Sequence, residues 1–180
     1  MFFLSVVGRT MQTESRSLLN PMELYSRLPL ITAMDDMADI PFYRDVIRHH
    51  TYDDFWKRYS LKDRNGEVDT PAYFITGWYD ALVHENFKLF QGWKSRARSA
   101  ESRRLTRLMV GPWTHGSIGT TQRIGDVDFG AQGGRDLVGD HLRWYDRRLK
   151  GIDNGIDDEP PVTIFVMGEN VWRGEGEWPL

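Results

Sequence analysis

The sequence predicts an α/β domain, and three observations carry that prediction. Ala72-Tyr73-Phe74-Ile75-Thr76 is a short apolar run between Pro71 and Gly77, as expected of a buried strand in a parallel sheet. Residues 81–95 follow with Leu82, Val83, Phe87, Phe90 and Trp93 at helical spacing, an amphipathic stripe. Leu105 to Val110 is a second apolar run, closed by Gly111-Pro112. Strand, helix and strand in this order make a right-handed crossover that leaves both strands parallel.

Composition bounds the rest. A length of 180 residues suits one domain, or one domain with part of another. Seven Trp, seven Tyr and nine Phe argue against disorder, and a net charge of −3 gives no general nucleic-acid signal. With no cysteine there is no disulfide scaffold, thiolate metal site or thiol nucleophile. No apolar stretch approaches the length of a membrane span. Phe2 to Val7 is short for a signal-peptide core and no basic residue precedes it, so the expected compartment is the cytoplasm.

In chain order, residues 1–21 are uninformative and end on Asn20-Pro21, a boundary signal. Residues 22–60 read as helical. Met22, Leu24, Tyr25 and Leu28 stop at Pro29, and Phe42, Val46, Ile47, Phe55, Trp56 and Tyr59 form a second series. Asn65-Gly66 is a turn. Between the crossover helix and the second strand, the arginine- and serine-rich stretch Lys94 to Arg107 reads as a solvated connection. Residues 116–134 are glycine-rich and read as a long loop, a class that is often functional. Asp136 to Lys150 reads as a helix with Leu137, Leu142, Trp144, Tyr145 and Leu149 as its apolar face. Acids at its start and bases at its end suit the dipole, and Gly151 is a fitting stop. Residues 152–161 form an acidic linker ending in Pro160-Pro161. Val162 to Met167 then alternates as a half-buried strand would, the expected opening of a second module.

The crossover has a chemical consequence. Parallel strands end on a common sheet edge, where ligands and chemistry collect in open α/β sheets. Asp80 follows the first strand in Gly77-Trp78-Tyr79-Asp80, and His115 follows the second in Gly111-Pro112-Trp113-Thr114-His115. A carboxylate accepting from an imidazole N–H fixes its tautomer and frees the other nitrogen as general base. From spacing alone a plainer pair of roles stands beside this one: Asp80 as the cap of the following helix, and His115 as a loop histidine bonded to backbone. A serine elbow of the type G-x-S-x-G is missing; Gly116-Ser117-Ile118-Gly119 lacks the residue between glycine and serine and follows the histidine.

At these residues the sequence resembles the family of Xaa-Pro dipeptidyl-peptidases, cocaine esterases and α-amino-acid ester hydrolases. The matching segments are TPAYFITGWYD (Thr70 to Asp80), LTRLMVGPWTHG (Leu105 to Gly116), HLRWYDRRLKGIDNGI (His141 to Ile156) and EPPVTIFVMGENVWRGEGEWPL (Glu159 to Leu180), with HHTYDDFW (His49 to Trp56) resembling the exit of a helical cap. The resemblance implies a partial α/β-hydrolase fold. It makes residues 22–66 a helical cap remnant, 67–151 the C-terminal part of the hydrolase domain, 152–161 a linker, and 162–180 the start of a C-terminal jelly-roll β-sandwich. It also makes Asp80 the acid and His115 the base of a serine-hydrolase triad acting on ester or peptide substrates. The family's serine and oxyanion tyrosine lie upstream of the matching blocks, so neither role is assigned here. The expectation is a hydrolase portion that is inactive alone and that either pairs with an N-terminal hydrolase piece or is a non-catalytic relic. No cofactor or metal is implied.

Trp78, Tyr79 and Trp113 flank the two positions and either line a substrate pocket or pack the core. His49 and His50 beside Asp53 and Asp54 read as a solvated helix end rather than a metal site. His84 and His141 read as structural or solvated, and Asp126 and Asp128 lack the EF-hand pattern. Arg96, Arg98, Arg103, Arg104 and Arg107 read as surface. No dinucleotide or phosphate-loop motif occurs.

Overall fold

The computed structural model describes residues 26–35 and 42–180. The chain divides into two units, one up to Ser60 and one from Leu61 to Leu180. The boundary thus precedes the Asn65-Gly66 turn that the sequence places at the end of the cap remnant. Asn65 belongs to the second unit, buried and donating from Nδ2 to the Lys62 carbonyl at 2.9 Å.

In the first unit, residues 22–25 and 36–41 of the expected helical region lie outside the described residues. The second apolar series forms two short helices, α1 (Tyr43–Arg48) and α2 (Asp54–Lys57). They are separate because Asp53 is extended and starts α2 afresh, its carboxylate accepting the Phe55 N–H at 3.0 Å.

The second unit is built on the crossover. It comprises β1 (Tyr73–Tyr79), α3 (Val83–Arg96), α4 (Ala100–Leu105) and β2 (Arg107–Thr114). The hairpin β3 (Arg123–Ile124) and β4 (Val127–Asp128) follows, then α5 (Leu137–Lys150), β5 (Val162–Val166) and β6 (Val171–Glu175). The sheet order is β1-β2-β5-β6, with β1–β2 and β2–β5 parallel and β5–β6 antiparallel. Its core joins Phe90 of α3 to Leu108 and Val110 of β2 and Val162 and Ile164 of β5, so one face of β2 and β5 is closed by the helix that the crossover supplies.

The structure departs from several of these expectations. The arginine-rich connection is a helix in part: Ser99 caps α4 by accepting the Ser102 N–H, and Leu105 ends it buried. Arg107 is no surface residue. It is buried at the start of β2, and its guanidinium donates to the carbonyls of Ile156, Glu159 and Pro160. Those bonds pin the segment 152–161, which is therefore no free linker. In the segment expected to open the β-sandwich, Val162 and Ile164 pair with Leu108 and Val110 and so extend the same sheet. Finally, of the apolar face expected on α5 only Trp144 is buried. Leu142, Tyr145 and Leu149 are 60%, 53% and 77% exposed and form one stripe with Val138. Arg147 and Arg148 instead tie another side of α5 to Asp157.

Both strands also run past their expected ends. β1 continues through Gly77-Trp78-Tyr79 and β2 through Gly111-Pro112-Trp113, because the pairing resumes at Tyr79–Thr114 after Gly77–Gly111. β2 thus spends one residue more than β1 across that step, a bulge that tolerates the missing N–H of Pro112. Two glycines make it possible. A Cβ on Gly77 would lie 2.0 Å from the Trp113 carbonyl oxygen, and one on Gly111 would meet the Trp113 indole at 2.4 Å.

Candidate active site

The bulge delivers Asp80 and His115 to the same edge of the sheet. Asp80 directly follows β1 and His115 directly follows β2. His115 Nδ1 lies 3.1 Å from Oδ1 and 3.3 Å from Oδ2 of Asp80. With the carboxylate ionised, the ring nitrogen donates, which fixes the Nδ1–H tautomer.

The two partners differ sharply in exposure. The Asp80 side chain is 2% exposed and that of His115 is 69% exposed. A buried carboxylate needs donors, and Asp80 has three kinds. Oδ1 accepts the Leu82 N–H at 2.8 Å, Oδ2 accepts the Thr76 hydroxyl at 3.3 Å, and the imidazole approaches both oxygens. Burial pushes the Asp80 carboxyl up; the Leu82 amide, the imidazole and the Thr76 hydroxyl together outweigh it and hold the group below its ordinary value. The two sequence roles for Asp80 are thus compatible, since it receives an N–H at the entry to α3 and also orients His115. Chemically, the pair offers an imidazole whose Nε2 carries a lone pair at an accessible edge, steadied by a buried negative charge.

The other candidates separate. Trp113 is fully buried and donates to the Gly133 carbonyl at 2.6 Å. Trp78 donates to the Phe165 carbonyl at 2.8 Å and packs against Phe87 and Trp178. Both pack into the core, the second of the two readings the sequence left open for them. Tyr79 alone of the three is exposed, with its ring 6.0 Å from Phe129. The glycine-rich loop is anchored rather than free: Phe129 is buried and the Gly119 carbonyl accepts the Arg135 N–H. His49 Nδ1 lies 2.6 Å from Asp53, and His84 and His141 are exposed. Among the described residues no group of three or more His, Asp or Glu is arranged to hold a metal ion. No helix of the described residues is long and apolar enough to cross a membrane. A groove of about 870 Å³ opens at the other end of β1, lined by Tyr73, Leu105, Trp144, Tyr145 and Leu149 among others, well away from His115.

Three contributors lie outside the sequence reading. Thr76 and Ser117 bond to the dyad or its turn, and the Gly77–Trp113 approach sets the bulge. A signal exists for two of them: Thr76 stands four residues before Asp80 on the strand that Asp80 follows, and Thr114-His115-Gly116-Ser117 has hydroxyl residues at both ends of a four-residue turn.

A family model described as X-Pro dipeptidyl-peptidase (S15 family) matches residues 11–117, a stretch that includes both Asp80 and His115. The cocaine esterase of Rhodococcus sp. (strain MB1 Bresler) is 36% identical over 145 residues, covering 78% of this chain and 24% of that protein. The chain thus spans about a quarter of the length of that relative. An aminopeptidase from the marine sediment archaeon Thaumarchaeota archaeon superposes with a TM-score of 0.66 at 24% identity, over 83% of this chain and 24% of the other. That likeness speaks for the mixed α/β fold. The sequence match and the shared fold agree, and the chain belongs to the X-Pro dipeptidyl-peptidase (S15) family of hydrolases.

Proposed function

We propose that Asp80 and His115 are the acid and base of a serine-hydrolase triad acting on acyl ester or peptide substrates, with the nucleophile brought by polypeptide outside these 180 residues. The single observation that carries this is the hydrogen bond between a buried Asp80 and an exposed His115 at the shared end of two parallel strands. The chemistry follows from the tautomer. His115 Nε2 takes the serine proton as the serine oxygen attacks the acyl carbon, and Asp80 stabilises the resulting imidazolium. The proton then passes to the leaving alcohol or amine. Water, deprotonated by the same nitrogen, releases the acid and restores the serine.

The partner in this proposal is an N-terminal hydrolase piece. Two features support it. Among the described residues β1 pairs on one side only, which leaves a strand edge open to addition. The stripe Val138, Leu142, Tyr145 and Leu149 on α5 is exposed and apolar, and its last two members line the groove beside Tyr73. The complementation form of the alternative is thereby favoured over a relic.

The test is hydrolysis of a p-nitrophenyl ester by residues 1–180 alone and fused behind the corresponding N-terminal portion of the Rhodococcus cocaine esterase. The chain alone is expected to show no rate that depends on His115. The fusion is expected to react with a fluorophosphonate and to lose activity by about 10³-fold or more on His115→Ala. A folded fusion that labels but keeps its rate in that variant overturns the assignment.

A further inference from the structure

We propose that Ser117 is the positioning residue for His115, holding the imidazole against Asp80 by closing the turn Thr114–Ser117. This inference rests on the dyad reading above and concerns what keeps the dyad in register. At 69% side-chain exposure the His115 ring is held little by packing. Its place depends on the Asp80 bond and on the backbone that presents it. That backbone is tied by one residue. The Ser117 hydroxyl accepts the Thr114 N–H at 3.2 Å and pairs with the Thr114 hydroxyl at 2.8 Å, while the Ser117 N–H donates to the Thr114 carbonyl at 3.2 Å. On the far side the Ser117 carbonyl accepts the Thr120 N–H at 3.1 Å and the Thr120 hydroxyl at 3.2 Å. Thr114 is itself fixed as the strand residue opposite Tyr79, directly before Asp80. Ser117 therefore joins the end of β2 to the following loop, with His115 in between. It is a positioning residue and not a nucleophile, because its hydroxyl is turned to Thr114.

The bond at stake is short of slack. His115 Nδ1 stands at 3.1 Å from Asp80, so a displacement of roughly 1 Å takes it out of hydrogen-bond range. A neutral imidazole released to water favours Nε2–H, whereas the Asp80 bond imposes Nδ1–H. The tautomer thus reports position directly, and a substitution that only lowered overall stability would leave it unchanged in the folded molecules.

The experiment is a long-range ¹H–¹⁵N spectrum of residues 1–180 with labelled histidine, taken where His115 is neutral and assigned by the signal lost in His115→Ala. The unsubstituted chain is expected to show mainly Nδ1–H. Ser117→Ala is expected to lose more than half of that signature, and Ser117→Thr to keep it. Should Ser117→Ala fail to fold, Thr114→Val removes the hydroxyl pair alone and is expected to lose part of it. An unchanged Nδ1–H signature in a folded Ser117→Ala, or in Thr114→Val where that variant has to serve, overturns the positioning role and leaves the dyad standing. Nε2–H in the unsubstituted chain overturns the dyad itself, and the positioning role with it.

Discussion

Gly77→Ala tests the bulge on which the site depends. The added Cβ would lie 2.0 Å from the Trp113 oxygen and 2.6 Å from its carbonyl carbon, whereas real Cβ contacts essentially never fall under 3.0 Å. The β2 backbone must therefore retreat by about 1 Å at Trp113, two residues before His115. The obstacle is the main chain of the fully buried Trp113, so no side chain can swing away to relieve it. Overpacking of this kind costs about 1–3 kcal/mol. For a chain of this size that lowers Tm by roughly 2–12 °C. The same shift is enough to break the 3.1 Å contact between His115 and Asp80. Thermal unfolding followed by circular dichroism gives the first quantity, and the histidine ¹⁵N spectrum gives the second. Gly116→Ala is the control, since a Cβ there meets nothing within 4 Å, and its Tm should change little. If Gly77→Ala unfolds with the parent and keeps the Nδ1–H signal, the close approach does not control the dyad.

Three further outcomes are expected. Asp80 has a folded pKa below its unfolded value, so its contribution to stability is complete above the ordinary carboxyl pKa of about 4 and is lost as pH falls through the lower folded value; accordingly the gap in Tm between the parent and Asp80→Asn should narrow on acidification below that pH, and a gap that widens contradicts the assignment. Arg107→Met should destabilise by about 2–4 kcal/mol in urea unfolding, because the carbonyls of Ile156, Glu159 and Pro160 lose a buried charged donor; a loss under 0.5 kcal/mol, a surface-sized effect, would return the residue to the surface role. Leu142→Glu and Leu149→Glu, on the exposed stripe of α5, should each change the stability of residues 1–180 by no more than about 0.5 kcal/mol, whereas a cost of several kcal/mol would mean that the stripe is core.

Much of the local structure was legible before any coordinates. Apolar runs bounded by Pro71, Gly77 and Gly111-Pro112 located β1 and β2, although both strands run on past those glycines. The Asp136 cap and the left-handed Gly151 bracket α5 as the dipole pattern and the stop residue suggest. α4 carries no periodic signal, because a six-residue helix buries only Ser102 and Leu105, too few positions to show a period. The stripe on α5 was visible but not its direction, because periodicity identifies an apolar face without saying what meets it.

By itself the sequence determined that an acid and a histidine follow two parallel strands, since chain order and crossover handedness leave them one edge to share. Whether they touch was decided by tertiary structure. The contact needs one extra residue in β2, admitted where Gly77 leaves room for the Trp113 carbonyl, and a turn closed by Ser117. Tertiary structure also took Arg107 from the surface into a cage of carbonyls and set Val162 and Ile164 beside β2 in the first sheet. The physical reason is common to all three. Local preference acts over a few residues, while a bulge, a buried guanidinium and a strand pairing depend on what distant parts of the chain place opposite them.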